Sequence, residues 1–172
     1  MKLIAAVDMR WAIGSRNNLL VQIPDDQKRF REITTGNVVV LGRRTLDGFP
    51  GGRPLKNRTN IILSRNPDYA VDNAVCLHSR EELFAELQRY PSDEVYVIGG
   101  GKIYEMLEPY CDTAYITRIE FKYDADTWFP DLDEKENWEV VEESEEQSYF
   151  SLTYRYITYK NNAPLSIFPG KQ

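Results

Sequence analysis

The chain has 172 residues, 42% of them hydrophobic and 28% charged, with a formal net charge of −6. That length supports one domain with a sizeable core, no run is apolar and long enough to span a membrane, and the acidic balance argues against nucleic acid or an anionic membrane as main partner. His78 is the single histidine, which removes multi-histidine metal sites and disfavours a histidine-based triad, so no metal is expected and proton chemistry falls to a carboxylate, a tyrosine, a cysteine or water.

The N-terminus opens on an apolar run, residues 2–7, that reads as a central strand and is too short for a signal peptide. Residues 8–23 include Gly14, Ser15, Arg16, Asn17 and Asn18 without periodicity, and read as a long loop of the functional or mobile kind. Pro24, Asp25 and Asp26 then open a helix, because proline suits a first turn and acids complement its dipole. Wound at about 100° per residue, the segment gathers Asp25, Lys28, Arg29 and Glu32 on a solvent side, with Phe30 and Ile33 opposite. Asp26 projects between the two apolar residues. A carboxylate there either caps a free backbone N–H near the helix start or faces a polar ligand, since burying it unpaired is costly.

A turn at 35–37 leads to a β-branched strand, 38–41, ending at Gly42, and Arg43, Arg44 and Thr45 open a short helix. Residues 49–54 are loop by their Pro and Gly content. Strands follow at 59–64, leading into Arg65, and at 74–77; a helix at 79–89 carries Leu83, Phe84 and Leu87 at helical spacing. The strand at 94–98 ends in Gly99, Gly100 and Gly101 and leads to a helix at 102–107. Beyond it, 113–121, 138–143 and 149–159 read as antiparallel strands closing the sheet edge, with the acidic run 142–146 in a solvated hairpin. Cys76 and Cys111, far apart and outside any C-x-x-C spacing, read as buried thiols in a reducing compartment. Residues 161–172 carry no pattern and are set apart as a loosely attached tail after a domain of residues 1–160. The whole reads as α/β, a mostly parallel central sheet with an antiparallel C-terminal edge and helices on both faces.

In such sheets ligands sit beyond the carboxyl ends of the strands, where helix N-termini hold anions. Three of those ends are equipped for it: Gly42 before Arg43, Arg44 and Thr45; Ser64 before Arg65; and Ile98 before the three glycines and Lys102. Glycines let a phosphate approach the backbone and arginines grip it with paired donors, so the set points to a polyphosphate such as a dinucleotide. The glycine turn is not G-x-G-x-x-G, which excludes a standard Rossmann fingerprint.

Read together, Leu3-Ile4-Ala5-Ala6, Ile13-Gly14, Ile23-Pro24-Asp25-Asp26, Gly42-Arg43-Arg44-Thr45, residues 58–65, residues 97–104 and Asp126-Thr127-Trp128-Phe129-Pro130 resemble the dihydrofolate reductase family, in order and from Lys2 to about Tyr159. The resemblance implies a single domain of that fold that reduces 7,8-dihydrofolate to tetrahydrofolate with NADPH, hydride going to C6 and a water-borne proton to N5. It also implies a cytoplasmic monomer that binds antifolate inhibitors. It places Asp26 as the one active-site carboxylate, against the pterin 2-amino and N3 edge. Ile4, Ala6, Phe30 and Ile98 would line the pterin pocket, Thr117 would bond to it or to Asp26 through water, Leu55 would flank the benzoyl ring, and Arg58 would grip the glutamate α-carboxylate. Ala6, Ile13, Gly14, Gly42, Arg43, Arg44, Thr45, Ser64, Arg65, Ile98, Gly100, Gly101, Lys102, Ile103 and Tyr104 fall at cofactor positions. Of these, Arg43 and Arg65 would meet the 2′-phosphate and Tyr104 the nicotinamide, with His78 beside the adenine end. Val21, Leu20 and Leu46 depart from the family's usual tryptophan, proline and aromatic, and altered substrate or antifolate affinity is expected from them. The alternatives are the riboflavin-pathway pyrimidine reductase of the same fold, which should lack the pairing of Asp26 with Arg58, and a non-catalytic NADPH- or folate-binding protein.

Overall fold

The computed structural model of the chain describes residues 1–167. In chain order the elements are β1 (Lys2–Val7), β2 (Ala12–Ser15), β3 (Asn18–Leu19), α1 (Pro24–Thr34), β4 (Val38–Gly42), α2 (Arg43–Asp47), β5 (Thr59–Leu63), β6 (Val75–Leu77), α3 (Arg80–Leu87), β7 (Val95–Gly99), α4 (Gly101–Leu107), β8 (Thr113–Ile119), β9 (Thr127–Trp128), β10 (Trp138–Glu143), β11 (Gln147–Tyr149) and β12 (Leu152–Asn161). The main sheet runs β10-β12-β8-β1-β7-β4-β5-β6, with β11 paired to β12. Every pairing from β8 to β6 is parallel. Among the C-terminal strands β12 supplies the antiparallel relations, to β8, β10 and β11, whereas β8 itself runs parallel to β1.

Strand alternation divides the core. Leu3, Val38, Val40, Ile61, Val95, Val97 and Ile116 point to one face, under Leu83 and Leu87 of α3 and Ile103 and Leu107 of α4. Their neighbours Ile4, Val39, Leu41, Ile62, Tyr96 and Ile98 point to the other, under Phe30 and Ile33 of α1 and Leu46 of α2. Both faces are covered, as a central parallel sheet requires, and the odd and even positions of one strand have different jobs.

Three expectations are corrected. Residues 8–23 are not all loop, because β2 and β3 form a small hairpin that adds β9 as a third strand. The stretch 149–159 is two strands with a tight turn, in which Tyr149 pairs with Leu152 and Phe150 takes φ 53°. The segment after residue 160 is attached, as far as it is described: Asn161 is buried, its Nδ2 donates to the Cys111 carbonyl, Leu165 N donates to the Pro109 carbonyl, and Ile167 packs on the core. Residues 168–172 lie outside the described residues. Cys111 is buried and Cys76 only half-buried, and neither is in a disulfide. Among the described residues no helix is long and apolar enough to cross a membrane, and no group of acids, histidine and cysteines is arranged to hold a metal ion.

Candidate active site

The face of the sheet under α1 ends in a cluster that joins four of the expected substrate residues. Ile4 from β1, Ile98 from β7, Phe30 from α1 and Leu55 from the loop before β5 pack together with Leu46 and Phe49. Ala6, two residues along β1 on the same face, packs instead with Val21, Ile23 and Tyr156. Asp26 is half-buried between these groups. Its hydrogen bond comes from the sheet and not from the helix's own backbone: Thr117 Oγ1 on β8 donates directly to Asp26 Oδ1 at 2.6 Å. Burial raises the Asp26 pKa above the ordinary carboxylate range, and the Thr117 bond and then the Arg29 charge oppose that rise. Arg29 is not on a solvent face, as the helical projection expects; its guanidinium lies over the Tyr156 ring at 4.2 Å.

Arg58 stands at the outer end of this cluster. Its guanidinium is 5.8 Å from the Phe30 ring centroid, and Nη2 donates to Thr35 Oγ1 at 3.2 Å. Nε is buried without a hydrogen-bond partner, and burial followed by the nearby Arg31 charge lowers the Arg58 pKa. A cation placed beside a like charge, with a donor left over, suits an anionic ligand. The loop that carries it is shaped by Asn60, a residue the sequence reading passed over. Asn60 is buried on β5, accepts from Leu55 N at 3.0 Å, and donates from Nδ2 to the carbonyls of Leu55 at 2.9 Å and Arg58 at 3.2 Å. Its one signal was a carboxamide inside the apolar run Thr59-Asn60-Ile61-Ile62-Leu63. Asn60→Ala is expected to cost about 2 kcal/mol, because buried backbone groups at 55 and 58 lose their partners. A lowered thermal midpoint checks this; an unchanged midpoint means water replaces the amide without cost.

The second half of the site lies past the ends of β4, β5 and β7. Gly42 and Gly100 are the N-caps of α2 and α4, and neither helix start has a side-chain cap, whereas Ser79 caps α3 by accepting from Glu82 N. Gly99 takes φ +135°, and a Cβ on it or on Gly100 would come within 3.3 or 3.2 Å of Thr45 Oγ1. A Cβ on Gly101 would come within 2.7 Å of Thr127 Cγ2. Arg43, Arg44, Arg65 and Lys102 are exposed around this cradle, and Ser64 is buried beneath it. Arg43 lies over the Tyr69 ring at 5.2 Å. His78 Nδ1 is 3.0 Å from the Ser64 carbonyl, so it donates to it. Two expected cofactor residues are turned inward. Ile103 packs in the core under Gly42, and Tyr104 donates its buried hydroxyl to the Ile4 carbonyl at 2.7 Å. Tyr104 is thereby tied to the backbone of β1, with its hydroxyl also beside the Gly99 turn.

Ile13 and Gly14 sit on β2 at the entrance. Ile13 packs on the core, Gly14 accepts from Asp126 N, and Arg16 N donates to Asp126 Oδ2. The root of this loop is held by Asp8, fully buried and also unremarked in the sequence reading. Its Oδ1 accepts from Arg10 N and Ala12 N, and its Oδ2 from Tyr123 N, at 2.8 to 2.9 Å.

Comparison with known proteins gives one answer. The family model described as "Dihydrofolate reductase" matches residues 1–161. A dihydrofolate reductase of Bacillus subtilis is 33% identical over 159 residues, 91% of this chain and 92% of that protein. One from Mycobacterium tuberculosis is 36% identical over 151 residues, 86% of this chain and 89% of that protein. Among solved structures, the dihydrofolate reductase of Enterococcus faecalis complexed with NADP(H) and RAB-propyl superposes with a TM-score of 0.82 at 38% identity, covering 94% of this chain and 95% of that one.

Proposed function

The chain belongs to the dihydrofolate reductase family, and from that membership we propose that Asp26 is the carboxylate through which this NADPH-dependent reductase acts on the pterin of dihydrofolate. The observation that carries the reading is the Thr117–Asp26 hydrogen bond at the rim of the apolar cluster of Ile4, Phe30 and Ile98. That bond occupies Oδ1, so Oδ2 is the acceptor left to meet the donors of the pterin 2-amino and N3 edge, while Ile4, Ala6, Phe30 and Ile98 surround the rings. Burial keeps the Asp26 proton on to higher pH than an exposed aspartate would. Bound at the 2-amino edge, Asp26 is remote from N5, so its proton reaches N5 through an ordered water. Arg58, with Arg31 close by, holds the glutamate carboxylate, and Leu55 flanks the benzoyl ring. Antifolates compete for the same site, where Leu46 shapes the cluster of Ile4, Phe30 and Ile98 and Val21 the neighbouring group with Ala6.

The cofactor fits the opposite cradle by the chemistry of its lining. Glycines 99 to 101 let this turn close on Thr45 and Thr127, whose side chains a Cβ would meet, two uncapped helix starts offer backbone N–H donors, and Thr45, Ser64 and Arg44 border them. NADPH bound there supplies the hydride that goes to C6. Arg43 and Arg65, with Lys102 at the third strand end, present the positive charge for its phosphates, and Arg43 and Arg65 are assigned to the 2′-phosphate. Arg65→Ala and Arg43→Ala are each expected to raise the KM for NADPH about 10-fold or more, the worth of a charge-assisted contact, and to leave the slower use of NADH unchanged. Initial rates with both nucleotides check this. Equal losses with both remove the two arginines from the 2′-phosphate.

A further inference from the structure

Arg29 and Tyr156 have no place in the reading so far, yet they complete a ring around the carboxylate. Asp26 and Arg29 are three residues apart on α1, so they share one side of the helix. Tyr156 on β12 stands directly opposite Thr117 on β8 in the antiparallel register. Thr117 donates to Asp26, and the Arg29 guanidinium lies 4.2 Å from the Tyr156 ring centroid. Helix, β8 and β12 are thereby joined through four side chains.

The geometry points to Arg29 as a positioning residue of the reaction: stacked on Tyr156, it fixes a positive charge beside Asp26 and governs how readily that carboxyl ionises. This rests on the reading of Asp26 as the working carboxylate. An arginine keeps its charge at every working pH, and a nearby cation favours the ionised carboxylate. On an open helix face the same side chain would sample many rotamers in water, and its field at Asp26 would be screened. The aromatic face removes that freedom.

The surroundings of both groups are accounted for. Asp26 meets Thr117 from β8, Arg29 from its own helix and, electrostatically, the Tyr156 hydroxyl from β12, and among these Arg29 supplies the positive charge. Arg29 meets Tyr156 from β12 and, at 5.9 Å, Tyr115 from β8, whose ring also lies 5.9 Å from Lys2 Nζ on β1. Burial and the neighbouring Tyr154 hold the Tyr156 hydroxyl far above the ordinary phenol range, so Tyr156 stays neutral and offers Arg29 a ring and not a charge. Arg29 therefore opposes burial. The fold desolvates Asp26, and the stacked guanidinium limits how far that desolvation delays ionisation.

The test follows the Asp26 carboxyl by carbon NMR across a pH titration, its resonance identified by its loss in Asp26→Asn, beside single-turnover hydride transfer. In Arg29→Gln the Asp26 midpoint moves to higher pH, and hydride transfer well up the alkaline limb becomes about threefold faster with the acid plateau unchanged. Tyr156→Leu, which removes the ring, does the same; Tyr156→Phe, which keeps it, leaves the midpoint in place; and the double variant with Arg29→Gln adds nothing further. A midpoint unmoved in Arg29→Gln overturns the proposal. A midpoint moved in Arg29→Gln but not in Tyr156→Leu overturns the role of the stack. Full turnover in Asp26→Asn instead defeats the reading of Asp26, and the NMR midpoint still decides what Arg29 does.

Discussion

Asp26→Asn is expected to lower turnover on the order of 100- to 10,000-fold, the range over which a positioned proton donor contributes, and to give a more stable protein. Both follow from one placement. Asparagine is isosteric and can still accept from Thr117 at Oδ1, so the helix keeps its tie to β8, but it has no proton to relay. The stability change has a definite sign. Burial raises the folded-state pKa of Asp26 above its unfolded value, so the stability this group contributes is fully present below the unfolded pKa and is lost as pH rises through the folded one. At neutral pH, above the unfolded pKa, the carboxyl group therefore weighs against the folded state relative to acid, and the amide does not. Thermal denaturation should give a higher midpoint for the variant at neutral pH, with the gap closing on acidification. A variant that is both inactive and destabilised would mean that Asp26 holds the fold together, and that its activity loss says little about chemistry.

Arg58→Leu is expected to raise the KM for dihydrofolate on the order of 100-fold, the equivalent of a lost charge-assisted hydrogen-bond pair, with kcat at saturation little changed. The guanidinium lies by Phe30 and donates to Thr35 at the C-cap of α1, the opposite end of the helix from Asp26, so on the proposed reading it binds substrate and transition state alike, and its removal is a loss of uniform binding. A pterin substrate without the glutamate tail should not distinguish variant from parent. Folding should be spared, because without a ligand the side chain is a half-buried charge beside Arg31 with Nε unpartnered. A fall in kcat equal to the rise in KM would instead place Arg58 at the reacting end.

The sequence made the parts of this site legible where local pattern and function coincide. Asp26 stands out because a carboxylate on an apolar stripe violates the helical pattern, and the proposed phosphate cradle because glycines and arginines follow three strand ends. What was hidden depends on contacts between distant segments. Arg29 projects to the solvent side of α1 when the helix is considered alone; only β12, more than a hundred residues later, supplies the ring that retains it. Asn60 stands out in its strand, but nothing local says that it closes the loop holding Arg58. The β2–β3 hairpin is too short for periodicity to register and depends on β9 for its third strand. The break before β12 carries no Gly, Asn or Pro, the residues a two-residue turn usually advertises; Phe150 and Ser151 occupy it instead.

Asp8 gives the entrance a mechanical character. One carboxylate grips the amides of Arg10 and Ala12 with one oxygen and that of Tyr123 with the other, and Met9 N adds a bond to the Phe121 carbonyl. Two stretches of chain more than a hundred residues apart are thus riveted at their roots. The strand hairpin at the mouth and the turn at 121–123 are therefore coupled at their roots. A substitution at either root therefore disturbs the other as well, although more than a hundred residues separate them.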